Sequence, residues 1–337
     1  AANRKLRASG SKLDAQGFII SSEYAQSLID DDPRNAAVVT RLINGDELND
    51  TPDLLSSRWT INFRDMSELE ASSYKACFDY LASAVKDEVL SKGASYAGWT
   101  RWWQYWRPKA DLYRTIWEED EVLAIAGTSK VLVPVFAPSH QTFTHACYLF
   151  TRTDYHFAGS LWSSHHWRWA VRHASSMRVD PRYTASDVFD TFPLPLADDG
   201  EIAAAARTLD RLRRESMSSR QIGLRELYGM IHNSDCTDAD IEVLREAQID
   251  LDLAVHQAYG WSPAPTHGFY SIRGQEAPRF TIDARSANEI LERLLELNQE
   301  RYEAEVTAGL HGSARARRSA SPPRTATGQG SLLEDEA

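Results

Sequence analysis

Two serines, two histidines and a tryptophan stand in a row at Ser163 to Trp167. A hydroxyl beside an imidazole can supply a nucleophile with its base or half of a metal site. Helical geometry argues against both, because adjacent residues point about 100° apart, so one ring is expected inside and the other in solvent. Asp250, Asp252 and His256 set carboxylates near an imidazole, yet their period fits the solvated side of a helix. The Gly-Gln-Gly at Gly328 to Gly330 follows no strand, and the Pro-Pro within Ser321 to Arg324 has no aromatic after it, so neither reads as a cofactor or base-holding loop. Cys77, Cys147 and Cys236 are widely spaced, which argues against a disulfide framework and against zinc. No catalytic residue, metal ligand or cofactor site is assigned to this chain.

Charge and flat rings are the stronger signal. Tyr96 to Tyr113 holds four tryptophans, three tyrosines, two arginines and a lysine. Rings such as Trp102 and Trp103 can stack on bases or sugars while Arg101, Arg107 and Lys109 engage phosphates, as on many nucleic-acid surfaces. The competing expectation is that the tryptophans fill a core. Gly127 to Val133 lies between two strand-like runs, so Thr128, Ser129 and Lys130 are expected in a turn, either as a phosphate contact or as an ordinary polar hairpin. On a helix from about Asp154 to His173, Tyr155, Ala158, Trp162, His166 and Trp169 share one stripe, and His165, Arg168 and Arg172 share an adjoining one that can carry charge outward.

These residues need a scaffold, and 337 residues with 42% hydrophobic content provide for a sizeable core and two domains. The formal charge of -11 excludes a uniformly basic nucleic-acid binder. Its distribution is uneven: Gly98 to Arg182 carries ten Lys/Arg against seven Asp/Glu, whereas 201–308 carries twelve against nineteen. The fold class expected is α+β. Strand-like runs at Arg58 to Phe63, Val122 to Gly127, Val131 to Pro138 and His145 to Thr151 mix with a helical stretch from Ser67 to Lys92. Pro193 and Pro195 mark a boundary at 196. Helices follow, one opening at Thr237 to Asp240 and burying Ile241, Leu244, Ala247, Leu251, Val255 and Ala258, another opening at Ser286 to Glu289 and burying Ile290, Leu291, Leu294 and Leu297. The tail, rich in Ser, Pro, Gly and Arg, is expected to be disordered. No apolar run has the ~20 residues of a membrane helix and no signal-peptide pattern opens the chain, so a cytoplasmic protein is expected. The start, lacking Met, reads as a cut inside a longer protein.

The order of several stretches carries a resemblance. Gly17 to Asp50, Ser57 to Phe63, Arg101 to Ile116, Val122 to Lys130, Phe157 to Pro195, Leu244 to Trp261 and Ile290 to Tyr302 together resemble the C-terminal half of large adenine-N6 DNA methyltransferases of type IIG restriction–modification and related phage-defence systems. The resemblance implies a linker over 1–34 from a methyltransferase domain, a DNA target recognition domain over 35–196, a helical domain over 197–308 and a disordered tail over 309–337. It also implies double-stranded DNA and a methyltransferase domain or subunit as partners, with S-adenosylmethionine bound by the parent enzyme. Ser129 and Lys130 match the family's Ser-Lys turn, and Arg182, Tyr183 and Thr184 match its Arg-Tyr-Thr block. On that reading Arg101, Trp102, Trp103, Arg107, Lys109, Ser129, Lys130, Arg168, Arg172, Arg182, Tyr183 and Thr184 face DNA. The alternatives are a protein-interaction module with an aromatic partner surface and a self-contained DNA-modifying enzyme.

Overall fold

The computed structural model describes residues 2–92, 99–177, 180–197, 200–272 and 278–310. The expected disordered tail past 310, with its Pro-Pro and Gly-Gln-Gly, lies outside them, as do Tyr96 to Gly98. In chain order the elements are β1 (Arg7–Ser9), β2 (Ile19–Ile20), α1 (Ser22–Asp31), β3 (Val39–Ile43), α2 (Gly45–Asp50), β4 (Trp59–Ile61), α3 (Glu68–Ser72), α4 (Lys75–Ala84), α5 (Lys86–Ser91) and α6 (Ala110–Ile116). Then come β5 (Glu121–Ala126), β6 (Val135–Pro138), β7 (Gln141–Phe143), β8 (Cys147–Phe150), α7 (Tyr155–Trp162), α8 (Ser164–His173), β9 (Ser175–Met177) and β10 (Asp180–Arg182). The remainder is α9 (Glu201–Arg220), α10 (Leu224–Ile231), α11 (Ala239–Ala258), the hairpin β11 (His267–Tyr270) and β12 (Arg279–Ile282), and α12 (Ala284–Thr307). The class is α+β, as expected. Among the described residues no helix is long and apolar enough to cross a membrane.

Two four-stranded sheets organise the first half. One runs β1-β8-β5-β6, antiparallel throughout; the other runs β2-β4-β3-β7, with β3 and β7 parallel. The short connection from β7 to β8 joins them. The first 34 residues, expected as a linker, are therefore part of the scaffold: β1 pairs Arg7 with Phe150 and Ser9 with Tyr148, and Arg7 grips Asp190 through two hydrogen bonds of 2.9 and 2.6 Å. Strands of two or three residues are too short to leave a period in the sequence.

Apolar packing crosses the expected boundary at 196. One core runs from Ile43 through β5, β8 and α7 to Leu294 of α12. Pro193 and Pro195 interrupt regular structure without interrupting packing, since Tyr259 donates to the Pro193 carbonyl at 2.8 Å and Asn298 to that of Thr191 at 2.5 Å. Gly159 lets α7 approach α9 and α11 closely; a Cβ there would stand 2.8 Å from Ile202, 2.9 Å from Ala206 and 3.1 Å from Leu251. A second core lies under β2, β3, β4 and α4, from Leu13 to Tyr105, and contains Trp99, Trp102 and Trp103.

The helix expected from Asp154 to His173 is broken at Ser163, whose extended backbone (ψ 154°) ends α7 while its hydroxyl caps α8 at the His166 amide. The break turns α8 against α11 as well as the sheet-side core, so His165 and His166 are both fully buried, and the outward stripe through His165 does not exist. The stretch from Ser67 to Lys92 divides into three short helices, and Val131 to Pro134 stay outside β6. The last helix starts before the expected Ser286, because Asp283 accepts from the Arg285 and Ser286 amides at 2.8 and 3.0 Å.

Candidate nucleic-acid interface

At one end of the first sheet, where Ala126 pairs with Cys147 and Ser9 with Tyr148, the chain segments leaving the strands continue side by side. Arg107 bridges to Lys12. Ser11 donates its amide to the Phe143 carbonyl at 2.8 Å and accepts from the His145 amide at 2.8 Å. The Ala146 carbonyl accepts from Gly127 at 2.7 Å, Thr128 bridges to Arg182, and the Tyr183 amide donates to the Gly127 carbonyl at 2.9 Å. Five segments, carrying Arg107, Lys12, His145, Thr128 and Arg182, thus form one row. At the ~4.8 Å separation of neighbouring strands its length is about 19 Å.

Cations crown this row. Arg107, His145, Lys130 and Arg182 are exposed, and Lys12 and Lys109 are partly so. Among the described residues no carboxylate forms an ion pair with Arg107, Lys109, Lys130 or Arg182, although Lys12 lies 3.0 Å from Asp14. Trp106, half-buried, is flanked by two of these charges: the Lys12 ammonium stands 4.5 Å and the Arg107 guanidinium 4.2 Å from its ring centroids. Such stacking fixes flexible cations without neutralising them. On the far side Arg182 also pairs with Ser175, which brings the C-terminal end of α8 and exposed Arg172 to that end of the row.

The turn presenting Lys130 is built by its neighbours. The Ser129 hydroxyl accepts from the Val131 amide at 2.9 Å and from the Asn49 side chain of α2 at 3.1 Å. Asn49 is held in turn by the Gly45 carbonyl at 3.0 Å. Ser129 is therefore buried and occupied by the fold rather than offered to phosphate, which corrects its expected role, while Lys130 projects outward.

Four more expected contacts move indoors. Trp102 and Trp103 are 5% and 8% exposed, Trp102 against Phe78 and Trp103 donating to the Met66 carbonyl at 3.0 Å. They fill the second core. Tyr183 is fully buried, and burial pushes its hydroxyl well above the ordinary tyrosine range. His166 lies beside it at 3.1 Å, with its other nitrogen 2.8 Å from the Leu161 carbonyl. Burial depresses His166 to about 4, so the ring is neutral; Nδ1 donates to Leu161, and Nε2 accepts from Tyr183. Arg168 is half-buried, donating to Ile282 of β12 at 3.4 Å, and serves the junction of α8 with the second half of the chain. Thr184 is half-buried and its carbonyl opens the turn that receives the Asp187 and Val188 amides. Arg101 is exposed, and among the described residues no backbone pairing joins it to the row.

The Ser-His-His and Asp-x-x-x-His stretches meet in the interior. Asp252, expected in solvent, is fully buried and accepts from the Ser164 amide and hydroxyl, both at 2.6 Å, from His267 at 2.9 Å and from Gln248 at 3.2 Å. Burial raises its pKa, but these donors, His267 first, outweigh it and the carboxyl stays ionised below the ordinary range. Ser164 bonds the carboxylate rather than an imidazole. His165 approaches His256 at 3.1 Å and is pushed down to about 3, chiefly by burial. This network bolts α8 to α11 and the β11–β12 hairpin. Among the described residues no group of three or more His, Cys, Asp and Glu is arranged to hold a metal.

No protein-family model and no curated protein matches the chain. A solved structure does: that of the type IIL restriction–modification enzyme MmeI in complex with DNA superposes with a TM-score of 0.64 at 19% sequence identity, over 88% of this chain. The two share a fold. The aligned region is 35% of the MmeI chain, so this chain spans about a third of that enzyme's length. Lys12 went unnoticed in the sequence because nothing local marks it; only the row brings it beside His145 and Thr128.

Proposed function

We propose that the chain is the sequence-recognition part of an S-adenosylmethionine-dependent adenine-N6 DNA methyltransferase of restriction–modification or phage-defence (BREX- and DISARM-like) systems. A methyltransferase domain or subunit supplies the cofactor site and the chemistry. The row from Arg107 to Arg182 carries this reading: about 19 Å of backbone-paired segments, with Arg107 and Lys12 at one end and Arg182 at the other, exceeds the ~12 Å width of a major groove and can reach phosphates on both its rims. The fold shared with an enzyme solved on DNA supports it. Arg107, Lys130 and Arg182 then act as phosphate contacts that set register, with Lys12, Lys109, Arg172 and His145 around them.

The test is duplex binding by fluorescence anisotropy over a series of salt concentrations. Each lost phosphate contact should weaken binding at every sequence and reduce the log–log salt slope by about one. Lys130→Ala and Arg182→Ala are expected to do this, and Arg101→Ala to leave the slope unchanged. Unaltered slopes in both of the first two variants would overturn the assignment. Saturable binding of S-adenosylmethionine by this chain alone would instead favour the self-contained enzyme.

A further inference from the structure

The Lys130 turn is held from beneath by α2, a helix of six residues. Asn49, only 2% exposed, donates from its amide nitrogen to the Ser129 hydroxyl at 3.1 Å and to the Gly45 carbonyl at 3.0 Å. Both amide protons are thereby used, which fixes the side chain between its own helix and the turn. A helix this short has no stability of its own in water, so its place is set by what packs on it. Whatever positions α2 therefore positions Lys130.

Three neighbours do so. At its start the Asn44–Glu47 capping box closes, and Glu47 grips Arg58 at 2.9 and 2.6 Å while accepting from Ser56 at 2.7 Å. The first turn lies on the end of β5, where a Cβ on Gly45 would stand 3.1 Å from the Ala126 methyl. The last turn seats α10 of the second half. A methyl on Gly223, the residue that opens α10, would collide with the Asp50 carbonyl carbon and stand 2.5 Å from the Asn49 carbonyl oxygen, so the backbones touch only because a glycine is there. Arg225, two residues on, pairs with Asp46 and Asp50 at 3.1 Å each. The far end of α10 is tied to α11, whose buried Arg245 donates to the Met230 and Ile231 carbonyls at 3.2 and 3.0 Å. Contacts thus run from α11 through α10 and α2 to one cation of the row.

We propose that Asn49 is the positioning residue for Lys130 and that α10, seated on the end of α2, sets where Asn49 stands, so that the second half of the chain aligns a phosphate contact carried by the first. The proposal rests on the DNA-binding reading. A merely structural role would weaken every cation of the row alike, whereas a positioning role couples to Lys130 alone. The test is duplex binding by the full chain over a salt series, with circular dichroism to verify the fold of each variant. Asn49→Leu should lower the log–log salt slope by about one, as Lys130→Ala does, so that the variant loses about 3.5-fold less affinity than wild type between about 50 and 200 mM salt. Combined with Lys130→Ala it should lower the slope no further; combined with Arg182→Ala the loss should reach about two. Asn49→Ser, too short to reach Ser129, should repeat the result and serves if the leucine disturbs the fold. Gly223→Ala, which pushes α10 off α2, should act like Asn49→Leu and add nothing to it. A wild-type slope in the Asn49 variants or in Gly223→Ala overturns the proposal, as does an additive loss when Asn49→Leu joins Lys130→Ala. A wild-type slope in Lys130→Ala itself removes the phosphate contact, and the proposal with it.

Discussion

Gly10→Ala tests whether the row is as tightly built as it is described. Gly10 lies between β1 and the strand ends, its amide donating to the Cys147 carbonyl at 3.0 Å. An added methyl would collide with the carbonyl oxygens of Phe143 and Thr144 and stand 2.8 Å from the Phe143 carbonyl carbon, about 0.7 Å inside the ~3.5 Å optimum for such contacts. All three obstacles are backbone, so no rotamer change relieves them. The strand must retreat, straining the Gly10–Cys147, Ser11–Phe143 and His145–Ser11 hydrogen bonds. Overpacking of this kind costs about 1–3 kcal/mol and the partial loss of hydrogen bonding adds about 1 kcal/mol, so a loss of about 2–4 kcal/mol is expected. Urea unfolding at unchanged m-value measures it. Gly229 is the control: it is exposed in α10 with nothing within 4 Å of its missing Cβ, and Gly229→Ala should stabilise by about 0.5–1 kcal/mol. A Gly10→Ala loss below ~0.5 kcal/mol would refute the account of the row's packing.

Three further outcomes follow from the interior. Tyr183→Phe leaves His166 Nε2 without its donor and should cost about 1–3 kcal/mol in urea unfolding; a neutral result would mean that the hydroxyl is not held there. His165 and His166 have folded pKa values of about 3 and about 4, below the ordinary 6.5, so the unfolded chain takes up more protons as pH drops. Their stability contribution is complete above pH ~6.5 and is lost as pH falls toward those values, by about 4 kcal/mol between pH 7 and pH 5; unfolding free energies that stay flat over that window would contradict the burial of both rings. Gly159→Ala should loosen α7 from α9 and α11 by about 1–3 kcal/mol, since the atoms it meets are packed side chains with little room to yield; a melting temperature equal to wild type would count against the close approach.

Much of the helical half was legible because its signal is local. Ile241, Leu244, Ala247, Leu251 and Val255 repeat at helical spacing and all five are buried, and the sequence order of the matched stretches pointed to the architecture later found in a solved relative fold. The crowd of tryptophans was legible only as a pair of options, and packing decided for the core: Trp99, Trp102 and Trp103 are buried in the second core among Leu, Ile and Val side chains. What stayed hidden depends on distant segments. The Ser163 break, the burial of Asp252 and the pairing of Arg107 with Lys12 each join residues 88 to 95 positions apart or rest on a single backbone angle, and no window of sequence reports on either.

The rungs of the row are main-chain hydrogen bonds between segments drawn from five remote parts of the sequence, while the side chains at their tips take no part in the pairing. Peptides or truncations spanning any single stretch will consequently fail to reproduce the surface, which comes into being with the finished fold. The same separation leaves the outward-facing groups open to wholesale exchange: a new set of tips can be installed on an unaltered ladder at little expense in stability.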